Sequence, residues 1–188
     1  DNKFKYNRGG SSNFQTLNNY GIDGKYCHIH PQQNQIAYAL GDFGYVMRSD
    51  NFTGNSPTLN PKLNGLDTDG DNVVDDETWY DCRLEMDYAN GDHLFLSTRD
   101  HVWKSDNRGD VWSPATNSFA GGNSSPHPYT MELVDNPSQT LYVGGTKGLL
   151  LRINNVFTSA PGMETDLSSF TPQLLVPSGR IQDLKAHP

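Results

Sequence analysis

The sequence lacks several features that define common classes of protein. Its 188 residues include only two cysteines, too few for a disulfide-stabilised scaffold. No apolar run approaches the roughly 20 residues that a membrane-spanning helix requires, so no membrane insertion is expected. The 14 lysines and arginines form no basic cluster, which argues against a nucleic-acid partner. No long helical periodicity is present, and the 18 glycines are typical of an all-β, turn-rich protein.

Three segments of the chain repeat one another. Residues 28–51 align without a gap with residues 84–107, and a further shift of 48 residues adds 134–155. Three columns then agree in kind: Tyr38, Leu94 and Tyr142; Val46, Val102 and Leu150; and Arg48, Lys104 and Arg152. Repeats of this length, made of short alternating strands, are typical of a β-propeller with one four-stranded sheet in each blade. The predicted fold class is therefore all-β, a β-propeller segment of about three four-stranded blades plus partial blades at both ends.

The repeats assign residues 1–188 to part of one β-propeller domain. The expected parts are a blade tail at 1–18, blades at about 19–66, 79–115 and 128–177, an insertion at 66–78, and the start of a next blade at 178–188. A propeller ring usually closes with about four to eight blades, and open sheet edges invite aggregation. We therefore expect the remainder of a longer parent chain, or another subunit, to complete the ring.

A specific turn is predicted after the third strand of the second repeat. The Ser105 hydroxyl and the Asn107 amide can bond the turn's own backbone, and Gly109 accepts a positive φ. Val111 and Trp112 are expected to open the return strand, with the Trp112 ring beneath the turn. The motif resembles the Asp-box, S-x-D-x-G-x-T-W, of bacterial neuraminidase and sortilin-like repeats, with Asn107 in the acidic position. In that family the box stabilises the outer rim of the fold, away from any active site.

The resemblance extends from Asp1 to about Asn155. A start in Asp-Asn, a turn at Asp23-Gly24 and a cysteine-bearing inner strand around Tyr26 to His30 resemble the sortilin-like propellers that bacteria export to their surface by type IX secretion. The resemblance implies an extracellular or bacterial cell-surface location. It assigns no ligand-binding residues in this chain.

An acidic loop with the sequence DTDGDNVVD gives the sharpest chemical signal. Calcium takes about six to eight oxygen ligands, and alternate positions of such a loop supply them. The predicted ligands are Asp67, Asp69, Asp71, the Val73 carbonyl and Asp75. The loop resembles the D-x-D-x-D-G-x-x-D loops of integrin-type propellers and thrombospondin-type repeats, with Asn72 in place of the glycine. Without a cation the carboxylates repel one another, so we predict a structural calcium site; the alternative is a solvated acidic loop.

Two pairs of residues have open alternatives. Cys27 and Cys82 begin comparable inner strands, and either a disulfide or two buried free thiols would fit, with free thiols slightly favoured. His28 and His30 point to the same side of one strand, but no third ligand lies close in sequence. Packing and turn roles are therefore favoured over a transition-metal site.

Two functions from different classes fit the sequence. The first is a secreted or cell-surface, calcium-stabilised β-propeller that acts as a protein- or glycan-binding or structural module. The second is a fragment of a propeller glycoside hydrolase of the sialidase or xyloglucanase kind, which needs paired carboxylates or an arginine cluster in one cleft. Arg180-Ile181 matches the start of the sialidase Arg-Ile-Pro, but Gln182 replaces the proline. Glutamate is scarce, and no pair of carboxylates is found at corresponding inner-strand ends, so the binding function is favoured.

Overall fold

The computed structural model describes residues 5–6, 15–16, 24–54, 56–67, 74–75, 82–119, 126–134, 139–163, 165–166 and 179–184. These residues form antiparallel strands joined by turns, in three four-stranded sheets and one two-stranded sheet. The predicted fold class is confirmed, because the chain is all-β and its four-stranded sheets follow one another as propeller blades do. No helix in this described part is both long enough and apolar enough to span a membrane.

The strands of each sheet pair in sequence order, as a meander. The two-stranded sheet contains β1 (Lys5–Tyr6) and β2 (Gln15–Thr16). The first blade contains β3 (Gly24–Ile29), β4 (Ala37–Gly41), β5 (Val46–Ser49) and β6 (Asn60–Pro61). The second blade contains β7 (Arg83–Met86), β8 (Leu94–Ser97), β9 (Val102–Ser105) and β10 (Ser113–Pro114). The third blade contains β11 (Pro128–Val134), β12 (Thr140–Gly145), β13 (Leu150–Ile153) and β14 (Thr165–Asp166).

The third strands follow the repeat found in the sequence. β5, β9 and β13 begin at Val46, Val102 and Leu150, the three residues that the repeat aligns. The return strand β10 begins at Ser113, two residues later than predicted. Trp112 is not part of that strand because its backbone N–H donates to the carbonyl oxygen of Asn64, outside the second blade.

Apolar side chains fill the spaces between successive blades. Leu94 and Leu96 on β8 belong to a buried cluster shared with the first blade, whereas Phe95 between them belongs to a cluster shared with the third blade. All three side chains are fully buried. Alternate residues of a strand face opposite sides of the sheet, so the middle strand of the second blade is apolar on both faces. The blades therefore pack face to face.

Strand pairing defines one row of three residues across each blade. The rows are His28, Tyr38 and Arg48 in the first blade, Glu85, Phe95 and Lys104 in the second, and Glu132, Tyr142 and Arg152 in the third. We call these the cross-strand rows. The predicted alignment of Leu94 with Tyr38 and Tyr142 is wrong by one residue, because Phe95 occupies that position.

A shorter turn explains the shift. The first and third blades connect their second and third strands through 3-10 turns at Asp42–Gly44 and Thr146–Gly148. The second blade turns between Thr98 and His101, which are joined by a backbone hydrogen bond of 3.0 Å. Its connection is one residue shorter, and a one-residue shift moves every preceding side chain to the other face of the sheet.

Candidate functional site

A groove of about 430 Å³ runs along the first strands of the three blades. β7 lies between β3 and β11 and contacts both, so these strands form one continuous surface. First strands line the central channel of a propeller, which makes this the channel side of the molecule. The charged and hydrogen-bonding side chains in the lining include His28, Arg83, Glu85, Tyr88, Glu132 and Asp183. We call this feature the channel-side groove.

Three of these side chains occupy equivalent positions. His28, Glu85 and Glu132 are the first-strand members of the three cross-strand rows. Glu85 and Glu132, which correspond within their strands, were not identified from the sequence, because only carboxylates at inner-strand ends were considered there. Extended by two residues toward the N-terminus, the gap-free repeat alignment places Glu132 beside Leu84, a core residue, because it does not allow for the shorter turn of the second blade.

Alternation along β7 turns its charged residues away from the core. Leu84 and Met86 are buried between the first and second blades, while Arg83 and Glu85 are only half-buried. Glu132 is likewise half-buried next to the buried Met131 on β11. The chain thus presents two carboxylates from neighbouring strands to one groove.

Arg83 supplies positive charge at the groove and is held by tyrosine rings. Its guanidinium carbon lies 5.5 Å from the centre of the Tyr26 ring and 4.8 Å from that of Tyr129. Its Nη2 donates a 3.3 Å hydrogen bond to the carbonyl oxygen of Gln182. A second guanidinium, that of Arg180, lies 4.3 Å from the Tyr129 ring centre. Cation–π contacts at these distances hold Arg83 between the first and third blades.

His28 is held as a neutral hydrogen-bonding group. Its Nε2 lies 2.9 Å from the carbonyl oxygen of Leu84, and its Nδ1 lies 3.1 Å from the Tyr88 hydroxyl. The tautomer protonated at Nε2 donates to Leu84 and accepts from Tyr88. Burial lowers the pKa of His28, although its hydrogen bond to Leu84 acts in the opposite direction. The pKa of Tyr88 is raised, first by burial and then by the charge of Glu85, so its hydroxyl keeps its proton.

His30 has the turn role favoured from the sequence. Its Nδ1 accepts the backbone N–H groups of Gln32 and Gln33, both at 3.2 Å. Its Nε2 lies 3.2 Å from a carboxylate oxygen of Asp92 in the second blade. Within the described part of the chain, no three histidine, cysteine or acidic side chains come together as a metal site. Cys27 and Cys82 are not joined by a disulfide; Cys82 is buried as expected, whereas the expectation of a buried thiol is wrong for Cys27, which is exposed.

The predicted calcium loop is described only at its ends. Of the five predicted ligands, Asp67 and Asp75 belong to the described residues, whereas Asp69, Asp71 and Val73 lie outside them. The backbone N–H of Asp75 donates a 2.9 Å hydrogen bond to the carbonyl oxygen of Leu66, which joins the two ends of the loop. Val74 is buried in the core between the first and second blades, where it anchors the loop. Calcium binding itself stays a prediction.

The turn after β9 has the backbone contacts expected of it. The Ser105 hydroxyl donates to Asn107 Oδ1 at 2.9 Å and accepts the N–H of Gly109 at 2.9 Å. Asn107 Oδ1 also accepts the N–H of Val111 at 3.0 Å. Gly109 has a φ of +79°, where a side chain would be strained. The turn belongs to the connection from the third to the fourth strand, away from the channel-side groove.

The first blade repeats the serine–asparagine hydrogen bond of this turn, and Trp112 lies between the two blades. The Ser49 hydroxyl donates to Asn51 Oδ1 at 3.1 Å. The Trp112 side chain is only 3% exposed. Its indole N–H donates a 2.9 Å hydrogen bond to the carbonyl oxygen of Lys62, beyond the end of the first blade. The ring therefore fastens the second blade to the first.

Comparison with known proteins identifies the fold but no family. No protein-family model and no curated protein matches the chain. Among solved structures it is similar to the GH74 xyloglucanase from Xanthomonas campestris, with a TM-score of 0.51 and 14% identity over 88% of this chain. The chain spans 26% of the length of that xyloglucanase. At this identity the similarity supports a propeller-like fold and carries no statement about activity.

Proposed function

We propose that this chain is a segment of a secreted or cell-surface β-propeller that binds a glycan in its channel-side groove without cleaving it. The observation that carries the proposal is the set of equivalent row positions His28, Glu85 and Glu132, which three successive first strands present to one groove. Equivalent positions at the spacing of the blades suit a ligand that is itself extended and repetitive. Oligosaccharides have that character.

The chemistry of the groove supports a polyhydroxylated ligand. Glu85 and Glu132 supply hydrogen-bond acceptors, and Arg83 supplies donors. Tyr88 is 61% exposed at the groove and offers an aromatic face with a hydroxyl at its edge. Sugars present both apolar C–H faces and hydroxyls that donate and accept, so this mixture is complementary to them. In a concave binding site, a small number of precisely positioned polar groups usually determines which ligand binds.

The outer turns support the Asp-box part of the proposal. In both the first and the second blade a serine hydroxyl bonds to the asparagine two residues later, Ser49 to Asn51 and Ser105 to Asn107. This construction resembles the Asp-box of sortilin-like and bacterial neuraminidase repeats, although both turns have asparagine in the acidic position. The proposed location, outside the cell or on a bacterial surface, rests on that resemblance.

The calcium proposal rests on how the acidic loop is anchored. The 2.9 Å bond between Asp75 and Leu66 closes the loop, and Val74 fixes one end in the core. A closed loop brings its first and last carboxylates toward one centre. We propose that calcium neutralises this cluster and stabilises the junction between the first and second blades, with no catalytic part.

Titration with oligosaccharides tests the binding function. We expect isothermal titration calorimetry with a panel of neutral and acidic oligosaccharides to give saturable binding for at least one member. The double variant Glu85→Gln, Glu132→Gln should weaken that binding at least tenfold, because both acceptors lose their charge while their shapes remain. Val111→Ala, on the exposed outer turn, is the matched control and should bind as the wild type does. Equal binding by the double variant would contradict the proposed site.

A second candidate function is glycoside hydrolysis, which the shared lining of Glu85 and Glu132 favours. Paired carboxylates are what that reaction requires. Release of reducing ends from xyloglucan and other polysaccharides by the wild-type chain distinguishes the two functions. Release that Glu85→Gln or Glu132→Gln abolishes would establish the enzyme, whereas binding without release supports the binding module.

A further inference from the structure

The basic residue of the first cross-strand row reaches into the second blade. Arg48 Nη1 donates to the carbonyl oxygen of Arg108 at 2.8 Å and to a carboxylate oxygen of Asp110 at 3.0 Å. Both acceptors belong to the turn that follows the third strand of the second blade. The Arg48 side chain is only 8% exposed. A buried guanidinium with these partners fixes one blade against the next.

The second row makes the same contact with the third blade. Lys104 Nζ donates to the carbonyl oxygens of Val156 and Ser159, at 2.7 and 2.9 Å. These carbonyls belong to the turn that follows β13, the third strand of the third blade. Burial lowers the pKa of Lys104, which the charge of Asp106 partly opposes. In two successive blades, therefore, the basic residue of the cross-strand row donates hydrogen bonds to the turn of the next blade.

The third row, like the first two, has an aromatic second-strand residue and a basic third-strand residue, but its surface is more open. Tyr38 and Phe95, the second-strand members of the first two rows, are 1% and 0% exposed, whereas Tyr142 is half-buried. Leu150 is half-buried as well, while its equivalents Val46 and Val102 are fully buried. These positions on the first two blades are covered by the blade that follows. On the third blade they are only partly covered.

Arg152 is the basic residue of the third cross-strand row. It occupies the place of Lys104 in its row, and among the described residues its buried Nε has no hydrogen-bond partner. Burying a guanidinium nitrogen without a partner costs free energy. A turn with main-chain carbonyl oxygens, placed as the turn after β13 is placed for Lys104, would lie within reach of the guanidinium end of Arg152, as the Arg108 carbonyl lies within reach of Arg48 Nη1.

The course of residues 179–184 fits a further blade. The N–H of Ile181 donates to the carbonyl oxygen of Gly145, and the N–H of Gly148 donates to that of Gly179, both at 3.0 Å. Asp183 lines the channel-side groove together with Glu132. This segment therefore passes the third blade on its channel side, where the first strand of a next blade would lie.

We propose that the face formed by Tyr142, Leu150 and Arg152 binds a further blade, whose turn after its third strand presents main-chain carbonyl oxygens to Arg152. The partner has the construction of the three blades described above, and residues 179–184 lie where its first strand begins. This interface extends a contact that the chain already makes twice. It is independent of the glycan proposal, because it concerns the faces between blades and not the channel.

A chain lengthened by one blade tests the interface. Residues 1–184 would be followed by a second copy of residues 132–166, which supplies copies of the Val156 and Ser159 carbonyls. Arg152→Met and Lys104→Met would be placed in the 188-residue chain and in the lengthened chain, and melting temperatures compared. Methionine keeps the packing of the side-chain stem and removes the charge.

Lys104→Met should lower the melting temperature of both chains by about 3–8 °C. Arg152→Met should not lower the melting temperature of the 188-residue chain, because there it removes a buried nitrogen without a partner, but it should lower that of the lengthened chain by a similar amount. Equal effects of Arg152→Met in both chains would overturn the proposal. So would a lengthened chain that melts no higher than the original.

A measurement on the unmodified chain provides a second test. Phenylglyoxal modifies accessible guanidinium groups, and mass spectrometry of peptides gives the rate at each arginine. We expect Arg152 to react at least fivefold faster than Arg48 in the 188-residue chain. Equal reaction rates for Arg152 and Arg48 would overturn the proposal. So would protection of Arg152 that rises with protein concentration, because it would show that a second copy of the chain occupies the face.

Discussion

The ammonium group of Lys62 lies 2.6 Å from a carboxylate oxygen of Asp110, at the junction of the first and second blades. Arg48 Nη1 contacts the same oxygen at 3.0 Å. Burial alone would raise the pKa of Asp110, but the hydrogen bond from Lys62 and the charge of Arg48 together hold that pKa below its usual value. One half-exposed carboxylate thus receives two cations from the preceding blade.

The Asp110 contacts predict a specific acid sensitivity. Because its folded pKa is lower than its unfolded pKa, the unfolded chain takes up this proton first as the pH falls below about 4. The stabilisation is complete above the unfolded pKa and is lost as the pH falls through the folded pKa. Asp110→Asn should therefore show a shallower loss of melting temperature between pH 5 and pH 2 than the wild type. Parallel curves would contradict this account.

Burial of His28 predicts a second pH dependence, at higher pH. Its folded pKa is lowered, so the unfolded chain binds the proton first as the pH falls through about 6.5. Stability should decrease from that pH down to the folded pKa and then level off for this group. His28→Gln should remove this decrease, as measured by urea unfolding between pH 8 and pH 5. His101→Gln is the control; a wild-type slope in His28→Gln would show that the ring does not titrate as described.

Trp112 predicts a large loss of stability with no loss of ligand binding. Trp112→Ala removes a buried ring between two blades and should cost about 3–5 kcal/mol of unfolding free energy. Trp112→Phe keeps an aromatic ring and removes the hydrogen bond to Lys62, so its cost should be smaller, about 1–3 kcal/mol. Denaturant unfolding measures both. A thermally silent Trp112→Ala would mean that the ring does not hold the blades together.

The acidic loop predicts a rise in melting temperature on addition of calcium. At a calcium concentration 100 times the dissociation constant, binding adds about 2.7 kcal/mol to the stability of the folded chain. Asp69→Ala should abolish the calcium-dependent rise while the strands remain formed by circular dichroism. Asp106→Ala, which removes an acidic residue from an exposed turn, should retain it. Calorimetry that shows no calcium uptake by the wild type would end this proposal.

The strands were predictable because they carry local signals. Val46, Val102 and Leu150 mark the beginnings of three third strands, and a simple shift of the sequence aligns them. Serine, asparagine and glycine at the turn after β9 also have defined backbone roles that residue type alone indicates. Each of these features depends on neighbours within a few positions, so the sequence contains them directly.

The channel-side groove was not predictable in the same way. Glu85 and Glu132 become equivalent only because the second blade turns one residue earlier than the others, and a gap-free alignment conceals this. A signal was present: Phe95, not Leu94, continues the aromatic column of Tyr38 and Tyr142. A one-residue gap at that turn aligns Phe95 with Tyr38 and Tyr142, and it aligns Glu85 with Glu132. The contacts of Arg48 with the next blade join residues far apart in the sequence. The only sign of them in the sequence is that a basic residue recurs at this position of each repeat.

The most direct test of the glycan-binding proposal locates the ligand on the molecule. Nuclear magnetic resonance of the labelled chain, titrated with the oligosaccharide that binds best, would follow every assigned amide signal. We predict that the largest shift changes lie at Glu85, Tyr88 and Glu132 on the channel side, while Ser49 and Asn107 on the outer turns stay unchanged. Shift changes confined to the outer turns, or none with any oligosaccharide, would contradict the proposal that the channel-side groove binds a glycan.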